Sequence, residues 1–219
     1  SVVKEKADFG IGYDSDGDRG IFVDEEGHAI VGDYSGALIA QGQPGEWLVT
    51  PVNSSKVVEL IGKKVARTKV GSPYVVAKMK ELKASFGFEA NGGGIFSEMH
   101  SRDGGRSSIE MLNLLSEKGI KLSELVATLP KYYQSRDKVE YRWELKDKIV
   151  SSAKKVFKGT KVDEMDGLKI WINDDAWILF RSSANAPEFR VFTESKSERE
   201  AEELLARGIK FVKDIIKSK

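Results

Sequence analysis

In Y-D-S-D-G-D-R-G, residues 13 to 20, carboxylates stand at three alternate positions, Asp14, Asp16 and Asp18, and Arg19 follows at once. Anions this close repel one another, so such a run persists where a hard divalent cation sits among the oxygens. Three readings compete. A solvated turn rich in Asp needs no ion. An EF-hand loop would place Asp14, Asp16, Asp18 and Glu25 at its first, third, fifth and twelfth positions. Its sixth position calls for Gly, yet Arg19 stands there, and the flanks are strand-like where an EF-hand has helices. The third reading is a strand-loop-strand site in which the carboxylates hold Mg²⁺ and leave coordination open for a phosphate oxygen.

The elements that must position this loop follow from periodicity. A-D-F-G-I-G-Y reads as a strand entering it and G-I-F-V-D as a strand leaving it, with E-E-G-H as the turn beyond. Short units of alternating type come next: a helix around Gly36 to Ala40, a strand E-W-L-V-T-P-V, a helix over Lys56 to Ile61 and a strand V-A-R-T-K. A helix over Tyr74 to Lys83, a strand from Phe86 to Glu89 and a helix from Ser107 to Lys118, closed by Gly119, continue the alternation. It implies βαβ units and a mostly parallel sheet. Pro130 ends a short helical segment, and a different pattern begins near L-P-K-Y-Y-Q-S-R-D-K. Leu145, Ile149, Val150, Ala153, Val156 and Phe157 mark one helical face, and L-K-I-W-I, A-W-I-L-F and F-R-V-F-T read as strands. A last helix opens on Ser197 and Glu200 as a capping box and buries Ala201, Leu204, Leu205, Val212 and Ile216. The fold class is therefore α/β, a mixed, mostly parallel βαβ domain followed by a small α+β C-terminal domain.

Composition narrows the functional classes. The 219 residues carry 35 Lys+Arg against 34 Asp+Glu, a formal net charge of +1, so no global field draws nucleic acid or an acidic membrane, and any anion site must be local. Cysteine is absent from the sequence, which excludes disulfides and thiol catalysis, and no apolar run has the length of a bilayer span. The expected compartment is the cytoplasm. The start, S-V-V-K-E-K, has neither an initiator Met nor a signal-peptide apolar region and reads as a cut.

Three stretches in order then carry a resemblance. A-D-F-G-I-G-Y-D-S-D-G-D-R resembles the metal loop D-G-D-x-D-R of the α-D-phosphohexomutases, with Ser15 in place of the usual first Gly. F-E-A-N-G-G, residues 88 to 93, resembles the sugar-binding loop G-E-x-S-G-H in the N-G-G form of the archaeal phosphomannomutase/phosphoglucomutase type. R-S-S-A-N-A-P-E-F-R, residues 181 to 190, resembles the phosphate-binding loop R-P-S-G-T-E-P-x-x-R.

The chemistry of each loop suits that role. Glu89 accepts several hydrogen bonds and Asn91 both donates and accepts, as paired sugar hydroxyls require, while Gly92 and Gly93 let backbone approach a ring. In the third loop Arg181 offers a fork of donors, Ser182 and Ser183 offer hydroxyls, and small residues around Asn185, Ala184 and Ala186, let backbone N–H groups turn toward an anion. Arg190, on the following strand, serves equally as a phosphate ligand or a structural ion pair. Asp103 and Gly104 match the family's D-G before a helix, where capping is the simpler role. Ser72 and the N-S-S at Asn53 replace a His and a Lys of many bacterial members, which leaves the proton-transfer groups unassigned. His28 and His100 read as loop residues.

The resemblance implies a hexose phosphate substrate and Mg²⁺ on Asp14, Asp16 and Asp18, with Arg19 in support. It also implies a phosphoserine that passes its phosphoryl group to the sugar and recovers one from the bisphosphate. The family's T-A-S-H-N-P-like serine motif does not occur in this sequence. The expected organisation is therefore residues 1–25 as the last strands of a truncated second domain with the metal loop, 26–134 as the third domain and 135–219 as the fourth. On that reading the chain is inactive by itself and works with N-terminal mutase domains, from the same parent chain or a separate half. Phosphoglucosamine mutase is the runner-up within the family, and a non-catalytic Ca²⁺- or phosphosugar-binding module is the alternative outside it.

Overall fold

F-G-I-G-Y and G-I-F-V-D form the strands that the alternation predicts. β1 (Phe9–Tyr13) and β2 (Gly20–Asp24) pair antiparallel as a two-stranded sheet, with Tyr13 opposite Gly20, so that the acidic run 14–19 is the hairpin loop. The computed structural model describes residues 1–218. They divide into two compact units, Ser1–Lys131 and a second that starts at Tyr132.

In the first unit, a short α1 (Val2–Glu5) precedes the hairpin. α2 (Gly32–Gly42), β3 (Trp47–Pro51), β4 (Lys64–Thr68), α3 (Ser72–Leu82), β5 (Phe86–Glu89), β6 (Gly93–Phe96), α4 (Gly104–Lys118) and α5 (Leu122–Ala127) follow. The sheet order is β4-β3-β5-β6, with β3 parallel to β4 and to β5, and β6 antiparallel to β5. Every residue of β5 and β6 is buried. This hairpin therefore holds its connecting turn, 90–92, between two buried strands, the second of them at the sheet's edge. The expected helix over Lys56 to Ile61 is a 3-10 turn, Lys56–Leu60, that the Ser55 hydroxyl caps. The helix expected from Ser107 begins one turn earlier, because Asp103 caps it by accepting from Arg106 N at 2.7 Å.

In the second unit, β7 (Tyr133–Glu140), α6 (Lys146–Val156), β8 (Lys161–Asp163), β9 (Leu168–Trp171), β10 (Trp177–Ser182), β11 (Glu188–Ser195) and α7 (Glu198–Lys217) build one antiparallel sheet. Its order is β7-β11-β10-β9-β8. Alternate residues Ile178, Phe180, Phe189 and Val191 meet Ile149, Ala153, Leu204 and Val212 of the two helices in a single core. The expected capping box of α7 is half made: the Ser197 hydroxyl accepts from Glu200 N, but the Glu200 carboxylate turns to the Ser195 hydroxyl. Among the described residues no helix is long and apolar enough to cross a membrane.

Phe180 packs its ring against Phe157 at 4.9 Å and Phe211 at 5.9 Å between centroids. Phe180→Ala should therefore lower the stability of this unit by about 3–5 kcal/mol. Urea denaturation followed by tryptophan fluorescence measures it, and a loss below about 1 kcal/mol would mean that this core collapses around the gap.

Candidate functional site

The hairpin loop is closed by its own backbone. Gly17 N donates to Asp14 O at 3.1 Å and Asp14 N to Arg19 O at 3.4 Å. This bend gathers one oxygen from each of Asp14, Asp16 and Asp18 within 4.8 Å of one another. Glu25, the twelfth position of an EF-hand, stands elsewhere, accepting from Ser123 Oγ at 2.5 Å, and both flanks are strands, so the EF-hand reading falls.

Positive charge reaches the cluster from two directions. Arg19 donates to Asp14 from its amide at 3.2 Å and from Nε at 2.5 Å. Partial burial works against ionisation of Asp14, and these hydrogen bonds outweigh it, so its carboxyl lies below the ordinary range. Arg102 forms an ion pair with Asp18 and also reaches Glu89 Oε2 at 3.5 Å. Asp18 Oδ1 is buried, lies 3.4 Å from Arg19 Nε and accepts no hydrogen bond among the described residues. Hard oxygen donors, converging carboxylates and an unsatisfied buried oxygen together fit a hard divalent cation.

Glu89 ends β5 and is buried. Burial pushes its pKa up, while Arg102 and a hydrogen bond from the Gly71 backbone pull it down and the nearby charge of Asp18 raises it further. Asn91 is exposed, and its Oδ1 accepts from Gly93 N at 3.2 Å, so its carbonyl is engaged in the turn. Gly92 has φ +94 and accepts from Gly20 N at 3.2 Å; a Cβ on it would lie 2.6 Å from Gly20 O. Gly104 donates to Gly17 O at 3.2 Å, and a Cβ there would lie 2.7 Å from that same oxygen. Backbone thus meets backbone where the acidic loop, the 90–93 turn and the start of α4 come together.

Arg102 is the residue that reading the sequence missed. The run S-R-D-G was noticed for its cap, Asp103, and only the fold brings the preceding side chain between Asp18 and Glu89. His28 is an exposed turn residue beside Asp24, at 3.4 Å, as expected of a loop histidine.

The 181–190 segment lies wholly in the second unit. Arg181 is buried and donates from Nε to Asp166 at 2.7 Å. Ser183 is buried too; its amide donates to Glu188 O at 2.8 Å and its hydroxyl accepts from Asn185 N at 3.4 Å. Two of the loop's amides, those of Ser183 and Asn185, are therefore used within the loop. Ala184 and Asn185 are exposed. Arg190 donates to Glu188 Oε2 at 3.1 Å, while its Nε is buried without a hydrogen-bond partner among the described residues.

Residues 27–133 match the family model described as phosphoglucomutase/phosphomannomutase, alpha/beta/alpha domain III. A phosphoglucomutase/phosphomannomutase of Thermococcus kodakarensis is 40% identical over 96% of this chain and 48% of its own length. The chain belongs to the α-D-phosphohexomutase family. It spans about half the length of the curated relatives it matches. Among solved phosphohexomutases, a phosphoglucomutase/phosphomannomutase family protein from Burkholderia thailandensis shares the fold with a TM-score of 0.82. That alignment has 24% identity and covers 99% of this chain and 49% of that one. An N-acetylphosphoglucosamine mutase of Aspergillus fumigatus, solved in complex with GlcNAc-6P and magnesium, aligns at a TM-score of 0.67 with 18% identity, over 94% and 48% of the two chains.

The buried carboxyl of Glu89 gives a test of the electrostatics at this junction. With a folded pKa raised above the ordinary 4.5, its contribution to stability is fully present below that value and is lost as pH rises through the folded pKa. Glu89→Gln cannot ionise, so its stability relative to the parent chain should climb between about pH 4 and neutrality. Denaturation midpoints of both proteins across that range check this, and parallel curves would contradict it.

Proposed function

We propose that this chain supplies the metal loop, the sugar loop and the phosphate loop of a phosphohexomutase that interconverts hexose 1-phosphates and 6-phosphates. The observation that carries the reading is the junction in the first unit, where Asp18, clustered with Asp14 and Asp16, shares Arg102 with buried Glu89. A cation-binding cluster and a hydrogen-bond acceptor for sugar hydroxyls then lie side by side, as transfer of a phosphoryl group to a sugar oxygen requires. Asp14, Asp16 and Asp18 would hold Mg²⁺, which when bound neutralises charge on the transferring group. Magnesium in the Aspergillus relative supports that choice of ion.

The remaining roles fall to the chain's own side chains. Arg19 favours the ionised form of Asp14, and Arg102 holds Asp18 by an ion pair. Glu89 accepts from sugar hydroxyls. Arg181, Ser183 and Arg190, with the loop through Ala184 and Asn185, bind the phosphate that is not being transferred. Asp166 fixes the Arg181 guanidinium through Nε, which leaves its remaining donors on the other edge of the fork. The phosphorylated serine comes from mutase domains outside these residues. Phosphomannomutase/phosphoglucomutase turnover stands ahead of phosphoglucosamine mutase, because the 40% identical relative bears the former name.

The chain by itself should not turn over glucose 1-phosphate or mannose 1-phosphate, even primed with a hexose 1,6-bisphosphate. Joined to an N-terminal half that carries the serine it should, and Asp16→Asn should then cut kcat by roughly 100-fold or more without moving the unfolding midpoint. Turnover by the 219 residues alone would overturn the assignment and make Ser15 the first nucleophile to test. Calorimetry separates the two binding loops. Arg181→Ala should weaken glucose 6-phosphate binding by about 1.5–3 kcal/mol for each hydrogen bond lost, and Glu89→Gln should leave inorganic phosphate affinity unchanged. Equal losses of phosphate affinity in both variants would contradict the division of roles.

A further inference from the structure

Of the five asparagines in the sequence, Asn91 is the one that precedes glycine; Asn53, Asn113, Asn173 and Asn185 precede Ser, Leu, Asp and Ala. An asparagine side chain is open to attack by the backbone nitrogen of the next residue. That nitrogen bonds to Cγ, ammonia leaves, and the succinimide ring then takes up water to give aspartate or isoaspartate. Glycine favours the step because no Cβ shields its nitrogen. Asn91 is exposed, so water reaches its side chain. Position 92 cannot be made safer by a larger residue. Gly92 has φ +94, and a Cβ there would lie 2.6 Å from Gly20 O and 3.2 Å from Gly20 C.

The fold restrains the reaction instead. Attack needs the Gly92 nitrogen to give up its proton and the 91–92 peptide to turn its plane toward Cγ of Asn91. Gly92 N donates to Glu89 O at 3.2 Å and Gly92 O accepts from Gly20 N at 3.2 Å, so the residue is held on both sides. Asn91 Oδ1 accepts from Gly93 N at 3.2 Å, which holds the side chain as well. We infer that Asn91 is a site of spontaneous deamidation guarded by the folded junction, so that its conversion to aspartate or isoaspartate passes through local opening of the 89–93 turn. The product would disturb what the turn adjoins. A Cβ on Gly93 would lie 2.5 Å from Arg102 Cδ and 3.3 Å from Asn91 Oδ1, so both side chains crowd the same space. A carboxylate at position 91 would therefore stand beside the side chain that pairs with Asp18 and Glu89. Isoaspartate also adds a carbon to the main chain, in a turn whose contact with Gly20 leaves no slack. This chemistry does not depend on the turn's part in sugar binding.

The chain is incubated at mildly alkaline pH, folded and in concentrated urea, and its peptides are followed by mass spectrometry for the gain of one mass unit that replacing NH₂ by OH brings. In urea, Asn91 should convert ahead of the other four asparagines. In the folded chain its rate should fall at least about tenfold, because only the open fraction of the turn reacts. Equal rates in the two states, or conversion in urea led by another asparagine, would overturn the inference. Arg102→Ala removes the side chain packed over Gly93 and leaves the turn's own residues in place. It should speed conversion of folded Asn91 and leave the rate in urea unchanged; Arg102→Gln serves if the alanine form does not fold. No acceleration in the folded variant would show that the junction does not guard the site. The converted protein, separated by its extra negative charge, should exchange its Gly20 amide with deuterium faster than the parent, and unchanged exchange would refute the disturbance of the junction.

Discussion

The first unit is organised around the repulsion of three carboxylates. With oxygens within 4.8 Å of one another, the three carboxylates repel one another. A two-stranded hairpin is marginal by itself and has little pairing energy to set against that. The loop is held because cations come to it, Arg19 from its own end and Arg102 from the approach to α4. Arg102 must arrive at a fixed height beside Asp18. Arg102 immediately precedes Asp103, the cap of α4, and Gly104 N bonds Gly17 O, so the start of that helix is joined to the acidic loop. One electrostatic requirement therefore ties together segments that are distant in sequence.

The same junction explains why glycine recurs in it. Gly92 accepts from Gly20, and Gly104 donates to Gly17, each at 3.2 Å. A methyl group on either would press on a carbonyl oxygen well inside contact distance. Side chains could not hold these loops so close, since the spacing between main chains leaves no room for them. The backbone bonds fix position and the two arginines fix charge. Glu89 is placed by both: the sheet buries it, and the arginine that guards Asp18 also faces it at 3.5 Å.

Much of this was legible in the residues, and what was not has physical reasons. Alternating Asp in a strand-loop-strand context predicts a convergent cluster, because a tight hairpin loop turns alternate side chains inward. Asp103 as a cap and Gly119 as a helix end depend on neighbours in sequence and were read correctly. β6 was missed because G-G-I-F has two residues without side chains and no alternation to reveal it. β7, Y-Q-S-R-D-K-V-E, was passed over as a boundary, since a strand at a sheet edge with one charged face lacks the apolar content of its neighbours. The helix expected over Lys56 to Ile61 has the right apolar spacing for one turn only, and the chain makes that turn as 3-10. Arg102 could not be found from spacing at all, because its partners Asp18 and Glu89 are brought to it by the fold.

The two units use one device with opposite signs. In the first, guanidinium groups pair with carboxylates that suit a cation; in the second, the Glu188 carboxylate pairs with Lys138 and Arg190. In each case the chain's own counter-ion keeps like charges together. Glu188 follows the loop at the start of β11 and pairs with groups that are partly exposed. Arg102 is tied to two carboxylates at once and is held between loops whose main chains are in contact. The second oxygen of Asp18, Oδ1, lies 3.4 Å from Arg19 Nε and accepts no hydrogen bond among the described residues. The acidic loop thus keeps its guanidinium partners in fixed places, whereas the Glu188 carboxylate is held by partners that are themselves partly exposed.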